Sequence, residues 1–223
     1  MRFDVRSVAR LLTLFAMAGG CSQQTAPLAK PSNSPVEANP KPEPKAAEIV
    51  EAPFELEEGY QLLSFGDFEA FAAEGDTWSG TEGGLKSSGK PKGYVYTKEP
   101  YQNFTLRLDY RFPRPENLKD ETKFKGNTGF LVYITGEHKL WPMCLEVQGK
   151  HVQMAAIKEN GGAEPVKTED DDLARQNARK PVGQWNSLEI VSRDGALAVS
   201  LNGTPISKSE PNFLSEGPIG IQA

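Results

Sequence analysis

Two glycine turns near the C-terminal end restrict the folds that this chain can adopt. Asp194-Gly195 and Asn202-Gly203 separate three short runs rich in β-forming residues, QWNSLEIVS, ALAVSL and TPIS. Because Asp-Gly and Asn-Gly reach positive φ easily, each pair is typical of a two-residue β-hairpin turn. Two consecutive hairpins predict an antiparallel meander and exclude a doubly wound α/β fold.

Upstream of the meander, further short runs have the length and composition of strands. They are residues 60–65, 93–97, 104–112, 128–135, 143–148 and 152–157. The run 104–112 alternates apolar and polar residues throughout, as expected of a sheet with one face in a core and one in water. Such sheets bury their apolar faces against each other, so residues 54–223 are predicted to form an all-β sandwich of two antiparallel sheets with negligible helix.

Two segments within this domain do not fit strands. Residues 113–126 are charged and contain proline, and they are expected to form a surface excursion. Residues 158–182 contain the sequence LARQNARK, which is compatible with one or two helical turns.

Residues 1–20 have the pattern of an export signal. Three arginines precede the short apolar run LLTLFAMA, and Ala18-Gly19-Gly20-Cys21 then resembles the lipobox of bacterial lipoproteins. This pattern predicts a cleaved lipoprotein signal peptide that takes no part in the fold, with lipidation at Cys21. The alternative is an ordinary secretory signal followed by a chance cysteine.

Residues 21–53 are predicted to be a disordered tether. This stretch contains seven prolines and no aromatic residue, so it cannot bury enough apolar surface to offset the loss of chain entropy. A tether behind a lipidated cysteine predicts an exported protein that is anchored to a bacterial membrane, in the periplasm or at the cell surface. The lipid anchor is then its only expected membrane contact.

Composition narrows the possible partners. The chain has 30 acidic and 25 basic residues, a net charge of −5, so no nucleic-acid partner is expected. Apart from Cys21 the only cysteine is Cys144, which lies in an apolar run and is interpreted as a packed residue. The two histidines, His138 and His151, have no metal-motif spacing.

A few polar side chains on predicted strands remain as candidates for chemistry. Arg107 and Asp109 share one strand face, while Glu146 and Gln148 share a face of another strand. The first pair is equally well explained as part of a solvated cross-strand charge row. The acidic run 170–172 is better explained as a solvated loop than as a calcium site. Glu146 is the hardest to explain structurally, because it lies between two apolar residues.

Taken together, several segments resemble one known family, the 3-keto-disaccharide hydrolase domain. The segments are YQNFTLRLDYRF (101–112), GNTGFLVY (126–133), LWPMCLEVQG (140–149), KPVGQWNSLEIV (180–191), LAVSLNGTPI (197–206) and GPIGIQ (217–222). The resemblance covers about residues 56–223 and implies a concanavalin A-like jelly roll. Members are often exported or lipid-anchored.

The chain departs from the family pattern at two points. The family has Asn-Ser-Gly where this chain has Asn127-Thr128-Gly129, and members continue into another strand beyond the position of Ala223. We therefore expect that the sheet lacks one strand and has an unpaired edge.

The resemblance implies cleavage of 3-keto-glycosides. The ketone acidifies the hydrogen on C2, so a base can remove it, the C1 substituent can be eliminated, and water can add to the enone. Glu146 is the candidate base or metal ligand, and His151 the candidate acid/base or metal ligand. Asp109 and Arg107 are candidates for metal or oxyanion contacts from the same groove. A divalent metal ion held by Glu146, His151 or Asp109 is a further hypothesis.

Substrate contacts are assigned to four more residues. Gln148 and Asn127 are candidates for binding sugar hydroxyls, and Trp141 and Trp185 for contacts with sugar rings. Trp185, at a strand start, is also explained as a core residue. A non-catalytic carbohydrate-binding module is the main alternative function, and a structural surface protein is the third, because a fold does not determine an activity.

Overall fold

The computed structural model describes residues 3–8, 56–72, 77–81 and 84–223, which belong to one compact unit. In chain order, the strands of this part are β1 (Phe3–Val8), β2 (Phe68–Phe71), β3 (Trp78–Thr81), β4 (Gly84–Ser87), β5 (Tyr94–Thr97), β6 (Thr105–Arg111), β7 (Gly129–Thr135), β8 (Met143–Gln148), β9 (Ile157–Asn160), β10 (Thr168–Asp170), β11 (Asn186–Arg193), β12 (Ala196–Leu201), β13 (Thr204–Ser209) and β14 (Gly220–Gln222). One α-helix, α1 (Asp172–Ala178), and the 3₁₀ turns Phe65–Asp67, Glu121–Lys123 and His151–Gln153 complete the described elements.

The strands form two sheets. One has eight strands in the order β10-β13-β12-β11-β6-β1-β4-β3, and the other has six in the order β2-β5-β14-β7-β8-β9. Every pairing between described strands is antiparallel. This confirms the predicted concanavalin A-like jelly-roll sandwich.

Alternation along the strands builds the core between the sheets. In β6, Leu106 and Leu108 are buried, while Arg107 between them is partly exposed. Leu145 and Val147 of β8 enter the same apolar cluster from the six-stranded sheet. Each fully buried side chain of this size contributes about 1.5–3 kcal/mol to folding, so this shared layer holds the two sheets together.

The predicted meander is confirmed as β11-β12-β13. Asp194 and Gly195 have φ of 47° and 82°, and Asn202 and Gly203 have φ of 50° and 81°. Positive φ at both central residues is typical of the type I′ turn, whose twist matches that of the flanking strands. The sequence therefore located both hairpins correctly.

The predicted helical turns within 158–182 are also confirmed. Asp171 caps α1 by accepting a hydrogen bond from the backbone N–H of Ala174 at 2.8 Å. The buried Arg175 forms ion pairs with Asp170 and Asp172. The acidic run thus caps a helix and neutralises a buried cation, and a calcium site is not needed to explain it.

The N-terminal strand differs from the sequence-based expectation. Phe3–Val8 lies between β4 and β6 and pairs with both, although residues 1–20 were expected to stay out of the fold. The signal-peptide assignment itself stays a prediction, and Cys21 and the predicted tether lie outside the described residues. A chain cleaved before Cys21 would lack β1, and β4 and β6 would then be unpaired at this position.

The C-terminal strand has no open edge. β14 pairs with β5 on one side and with β7 on the other, so the expected unpaired edge is not found there. Within the described residues, no helix has the length and apolar character needed to cross a membrane.

Candidate functional site

The outer face of the six-stranded sheet, the one turned away from the core, carries an unusual set of residues. Because Leu145 and Val147 face the core, Cys144, Glu146 and Gln148 point to this outer face. Strand register places one residue from each strand in a row across it. The row consists of Glu69, Tyr96, Gly220, Leu131, Glu146 and Lys158.

Glu146 is a buried carboxyl group on this face. Its side chain is 8% exposed, and Oε1 accepts a hydrogen bond from Nε2 of Gln148 at 3.1 Å. Burial raises the pKa of Glu146, and the charge of Lys158 and the Gln148 hydrogen bond oppose this only in part. Oε1 of Gln148 in turn accepts from the backbone N–H of Lys150 at 2.9 Å, which fixes the amide. A carboxylate in this setting is a stronger base than an exposed one.

A glycine makes room for that carboxyl group. A Cβ atom on residue 129, in the neighbouring strand β7, would overlap the side chain of Glu146. Gly129 is the last residue of the Asn127-Thr128-Gly129 motif, and its lack of a side chain lets Glu146 lie flat on the sheet. The motif thus has a direct steric role at this face.

A loop, residues 136–142, connects β7 to β8 and folds over the outer face. The ring of His138 stacks on Tyr96 at 4.3 Å between centroids, and its Nδ1 lies 2.7 Å from the hydroxyl of Tyr94. Burial raises the pKa of Tyr94 to about 12, so the hydroxyl that makes this hydrogen bond keeps its proton. Both tyrosines belong to β5, two strands away from β7, so the loop crosses β14 and covers this part of the outer face.

A cavity of about 300 Å³ opens beside this loop. Its wall includes Asn127, Gln222 and the indole of Trp141, which is 44% exposed. Nδ2 of Asn127 donates to Oε1 of Gln222 at 3.4 Å, and Oγ1 of Thr128 donates to the backbone oxygen of Gln222 at 2.7 Å. Amides and an exposed indole are groups that bind sugar hydroxyls and sugar rings, respectively.

The structure does not place His151 beside Glu146. His151 is 1% exposed, and its Nε2 lies 3.4 Å from Oε2 of Glu121 without good hydrogen-bond geometry. Its ring meets the edge of Phe124, and burial followed by the charge of Arg179 lowers the pKa of His151. His151 therefore lies under the 113–126 excursion, and no described contact joins it to Glu146.

The expectation that Arg107 and Asp109 share a groove with Glu146 is wrong. They lie on the outer face of the eight-stranded sheet, on the opposite side of the sandwich, because the core-facing residues of β6 alternate with them. Arg107 pairs with Glu189 of β11 at 2.5 Å, directly across the ladder. The structure therefore agrees with the alternative interpretation, a cross-strand charge row.

Trp185 belongs to that opposite side as well. It is partly buried, and the guanidinium of Arg111 lies 4.6 Å from its ring centroid. It cannot contact a sugar bound at Glu146, so only Trp141 of the two predicted tryptophans is at the site.

The three predicted metal ligands cannot share one ion. Glu146 lies on the outer face of one sheet, Asp109 on that of the other, and His151 under the excursion. Among the residues that the structure describes, no group of three or more metal-binding side chains is found. One ion held by all three residues is therefore excluded, whereas a metal ion held by one of them stays a hypothesis.

Sequence reasoning missed several residues of the site, namely Tyr94, Tyr96, His138, Lys158 and Gln222, and it missed Lys92 in the wall of the cavity. The alternation in GYVYT could have placed the two tyrosines on one face. No local signal could have found His138, because its position depends on where the loop folds.

One family model matches most of the described chain. It is described as the 3-keto-alpha-glucoside-1,2-lyase-like domain, and it matches residues 63–223. Among curated proteins, none matches the chain.

Solved structures resemble the fold at low identity. A candidate glycosyl hydrolase from Parabacteroides distasonis is similar over 71% of this chain and 86% of its own, with 21% identity and a TM-score of 0.50. A second one from that organism covers 71% and 82%, with 18% identity and a TM-score of 0.47. The carbohydrate-binding module CBM66 of Bacillus subtilis covers 70% and 87%, with 15% identity and a TM-score of 0.45. Because the first of these structures is only 21% identical to this chain, its similarity establishes the fold and nothing further.

Proposed function

The chain belongs to the 3-keto-alpha-glucoside-1,2-lyase-like family, and from this premise we propose that it cleaves 3-keto-glycosides by elimination. The reaction takes place on the outer face of the six-stranded sheet, with Glu146 as the base. The observation that carries this proposal is a buried carboxyl group with a raised pKa on a face that also offers sugar-binding side chains.

The bond changes are those of a β-elimination. The carboxylate of Glu146 takes the proton from C2, which the neighbouring C3 ketone makes acidic. The electron pair of the C2–H bond forms the C1=C2 double bond, the C1–O bond breaks, and the leaving oxygen takes up a proton from water. Water then adds across the double bond and gives the free 3-keto sugar, so the net reaction is hydrolysis.

Glu146 suits the role of base because of its surroundings. A general base works best when its pKa lies near the working pH, and burial moves the pKa of Glu146 in that direction. The hydrogen bond from Gln148 holds the carboxylate in one orientation. Gln148 is therefore a positioning residue for the base.

The negative charge that develops on the ketone oxygen needs a stabilising group. Lys158 lies directly opposite Glu146 in the ladder between β8 and β9, and its Nζ is held by Oε1 of Gln153 at 3.0 Å. A fixed ammonium group at this place lowers the energy of an enolate. We assign no reacting role to His151, because its contacts are with Glu121 and Phe124.

We infer that the loop 136–142 moves when substrate binds. Glu146 is 8% exposed, and the loop residue His138 is latched to Tyr94. A loop that closes over bound substrate would exclude water while the base acts. The loop thus has the position of a lid.

The direct test is the turnover of 3-keto-sucrose or 3-keto-trehalose. We expect Glu146→Gln to lower turnover by about 10²–10⁴-fold, the range for a general base, with the fold intact by circular dichroism. Glu159→Gln, on the adjacent strand and exposed, is the matched control and should leave turnover unchanged. Full activity of Glu146→Gln would reject the assignment.

A second candidate function is binding without cleavage. It is favoured by the exposed indole of Trp141 and by the stacked pair Tyr96 and His138, which are typical of sugar-binding surfaces. In that case an unoxidised disaccharide would bind, Trp141→Ala would abolish binding, and no 3-keto-glycoside would be turned over.

A further inference from the structure

Three lysines surround the cavity beside the lid. Lys90, Lys92 and Lys125 belong to its wall, and none of the residues that line it is aspartate or glutamate. In the described part of the chain, none of these three ammonium groups has an ion-pair partner. The whole chain carries a net charge of −5, so this concentration of positive charge is a local feature.

Such a concentration of one charge favours the binding of an anion. Ammonium groups in one concave site repel each other, and a cleft lined by one sign of charge raises the local concentration of counter-ions. Lys92 also lies over Trp141, with Nζ 6.0 Å from the ring centroid. The lysines and the indole therefore face the same volume.

The cavity adjoins the proposed catalytic base. Gln222 lines the cavity, and its backbone oxygen accepts a hydrogen bond from Thr128 at 2.7 Å. The next residue, Gly129, lies beneath the carboxylate of Glu146. A volume of about 300 Å³ is at the lower end for ligand pockets, which suits one sugar residue better than a chain.

We propose that this cavity binds the leaving part of the substrate and that this part is an acidic sugar. Its carboxylate or phosphate group contacts Lys92 and Lys125, its ring stacks on Trp141, and its hydroxyls contact Asn127 and Gln222. The placement of the leaving part rests on the proposed role of Glu146. The preference for a negative charge rests on the lysines alone.

The test is a binding measurement on the full chain with unoxidised disaccharides. The probes are an α-glucosyl-glucuronate, trehalose 6-phosphate and neutral trehalose, compared by calorimetry at low salt. We expect the better of the two acidic probes to bind about tenfold or more tightly than trehalose, and its identity tells whether a carboxylate or a phosphate is preferred. The advantage should shrink as salt is added. Equal binding of all three probes would overturn the proposal.

A pair of double variants controls for net charge. Lys92→Met with Lys125→Met should abolish the preference, whereas Lys119→Met with Lys180→Met, which removes two exposed lysines elsewhere, should leave it unchanged. The proposal is contradicted if both double variants lose the preference for acidic probes equally, or if neither double variant loses it. Inorganic phosphate or acetate that binds as tightly as the acidic disaccharides would contradict the sugar part of it.

These measurements are independent of catalysis. Because the probes carry no ketone, Glu146→Gln should show the same preference for acidic probes as the unmodified chain. If Glu146→Gln lowers turnover but the chain shows no preference for acidic probes, only the proposal of an acidic leaving group is refuted. If the chain prefers acidic probes but does not turn over 3-keto-glycosides, only the proposal of elimination is refuted.

Discussion

The carboxyl group of Glu146 lies over Gly129, at a place where any side chain on residue 129 would overlap it. The two residues are on adjacent strands, and the absence of a Cβ atom in one leaves the space that the side chain of the other occupies. The Asn-Thr-Gly motif and the buried glutamate are therefore parts of one arrangement.

Gly129→Ala should displace Glu146 and lower turnover while the sandwich still folds. Overpacking of this kind costs about 1–3 kcal/mol, which urea unfolding can measure beside the turnover of 3-keto-sucrose. Gly66→Ala is the matched control, because its Cβ would meet only Oγ of Ser64 at 3.7 Å. Unchanged turnover in Gly129→Ala would mean that the position of the carboxylate is not important.

Glu146 should also make stability depend on pH. Its folded-state pKa is raised above the ordinary value of 4.5 by burial, so its protonated form is favoured in the fold. Its contribution to stability is present below the unfolded pKa and is lost as pH rises through the folded pKa. Glu146→Gln removes this loss, so its stability relative to the unmodified chain should increase as pH rises above about 4.5. If the free energy of unfolding changes with pH in the same way for Glu146→Gln and for the unmodified chain, the raised pKa of Glu146 is contradicted.

His151 should behave as a structural residue. Its folded pKa is lowered from 6.5 by burial, so its contribution to stability is present above that value and is lost as pH falls through the folded pKa. His151→Gln should flatten the acid side of the stability curve. Its turnover, assayed near neutral pH, should fall far less than that of Glu146→Gln. A loss of turnover equal to that of Glu146→Gln would restore His151 as a reacting group.

Tyr94→Phe tests the lid. It removes the hydrogen bond to His138 but keeps the ring, at an expected cost of about 0.5–1.5 kcal/mol. Amide hydrogen exchange in residues 136–142 should become faster. Tyr96→Phe is the control, because the hydroxyl of Tyr96 donates to Glu69 and its ring stack with His138 is kept. Unchanged amide exchange rates in Tyr94→Phe would show that the hydrogen bond between Tyr94 and His138 does not hold the loop in place.

Membrane attachment is predicted to depend on Cys21. Cys21→Ser should prevent lipidation, so the protein should no longer partition into detergent after phase separation. The precursor should stay uncleaved or the mature protein should be released. Unchanged partitioning of the variant would refute the lipoprotein assignment.

The elements that could be predicted from the sequence are those set by local chemistry. Asp194-Gly195 and Asn202-Gly203 specify their hairpins through backbone preferences, and alternation in 104–112 specifies which side chains of β6 enter the core. The outward direction of Glu146 follows from the same alternation, because its neighbours are apolar.

The relation between the two sheets could not be predicted. The alternation of apolar and polar residues indicates that Arg107 and Glu146 both point away from a core. The sheet to which each strand belongs is decided by long-range strand pairing. That choice places them on opposite sides of the sandwich. His138 is a similar case, because a loop of seven residues has many possible paths until the strands beneath it are in place.

The most direct test of the account is the fate of the C2 hydrogen during cleavage. The full chain is incubated with 3-keto-sucrose in D₂O, and the released 3-keto-glucose is analysed by mass spectrometry and NMR. Separate incubation of 3-keto-glucose without enzyme corrects for spontaneous exchange. Elimination followed by hydration predicts one deuterium at C2 of each released molecule. Because protonated Glu146 can return the same hydrogen to C2, turnover of 3-keto-sucrose deuterated at C2 is measured as well. Released sugar that keeps its original hydrogen at C2, together with no primary isotope effect on that turnover, would contradict the elimination mechanism and the role of Glu146 as its base.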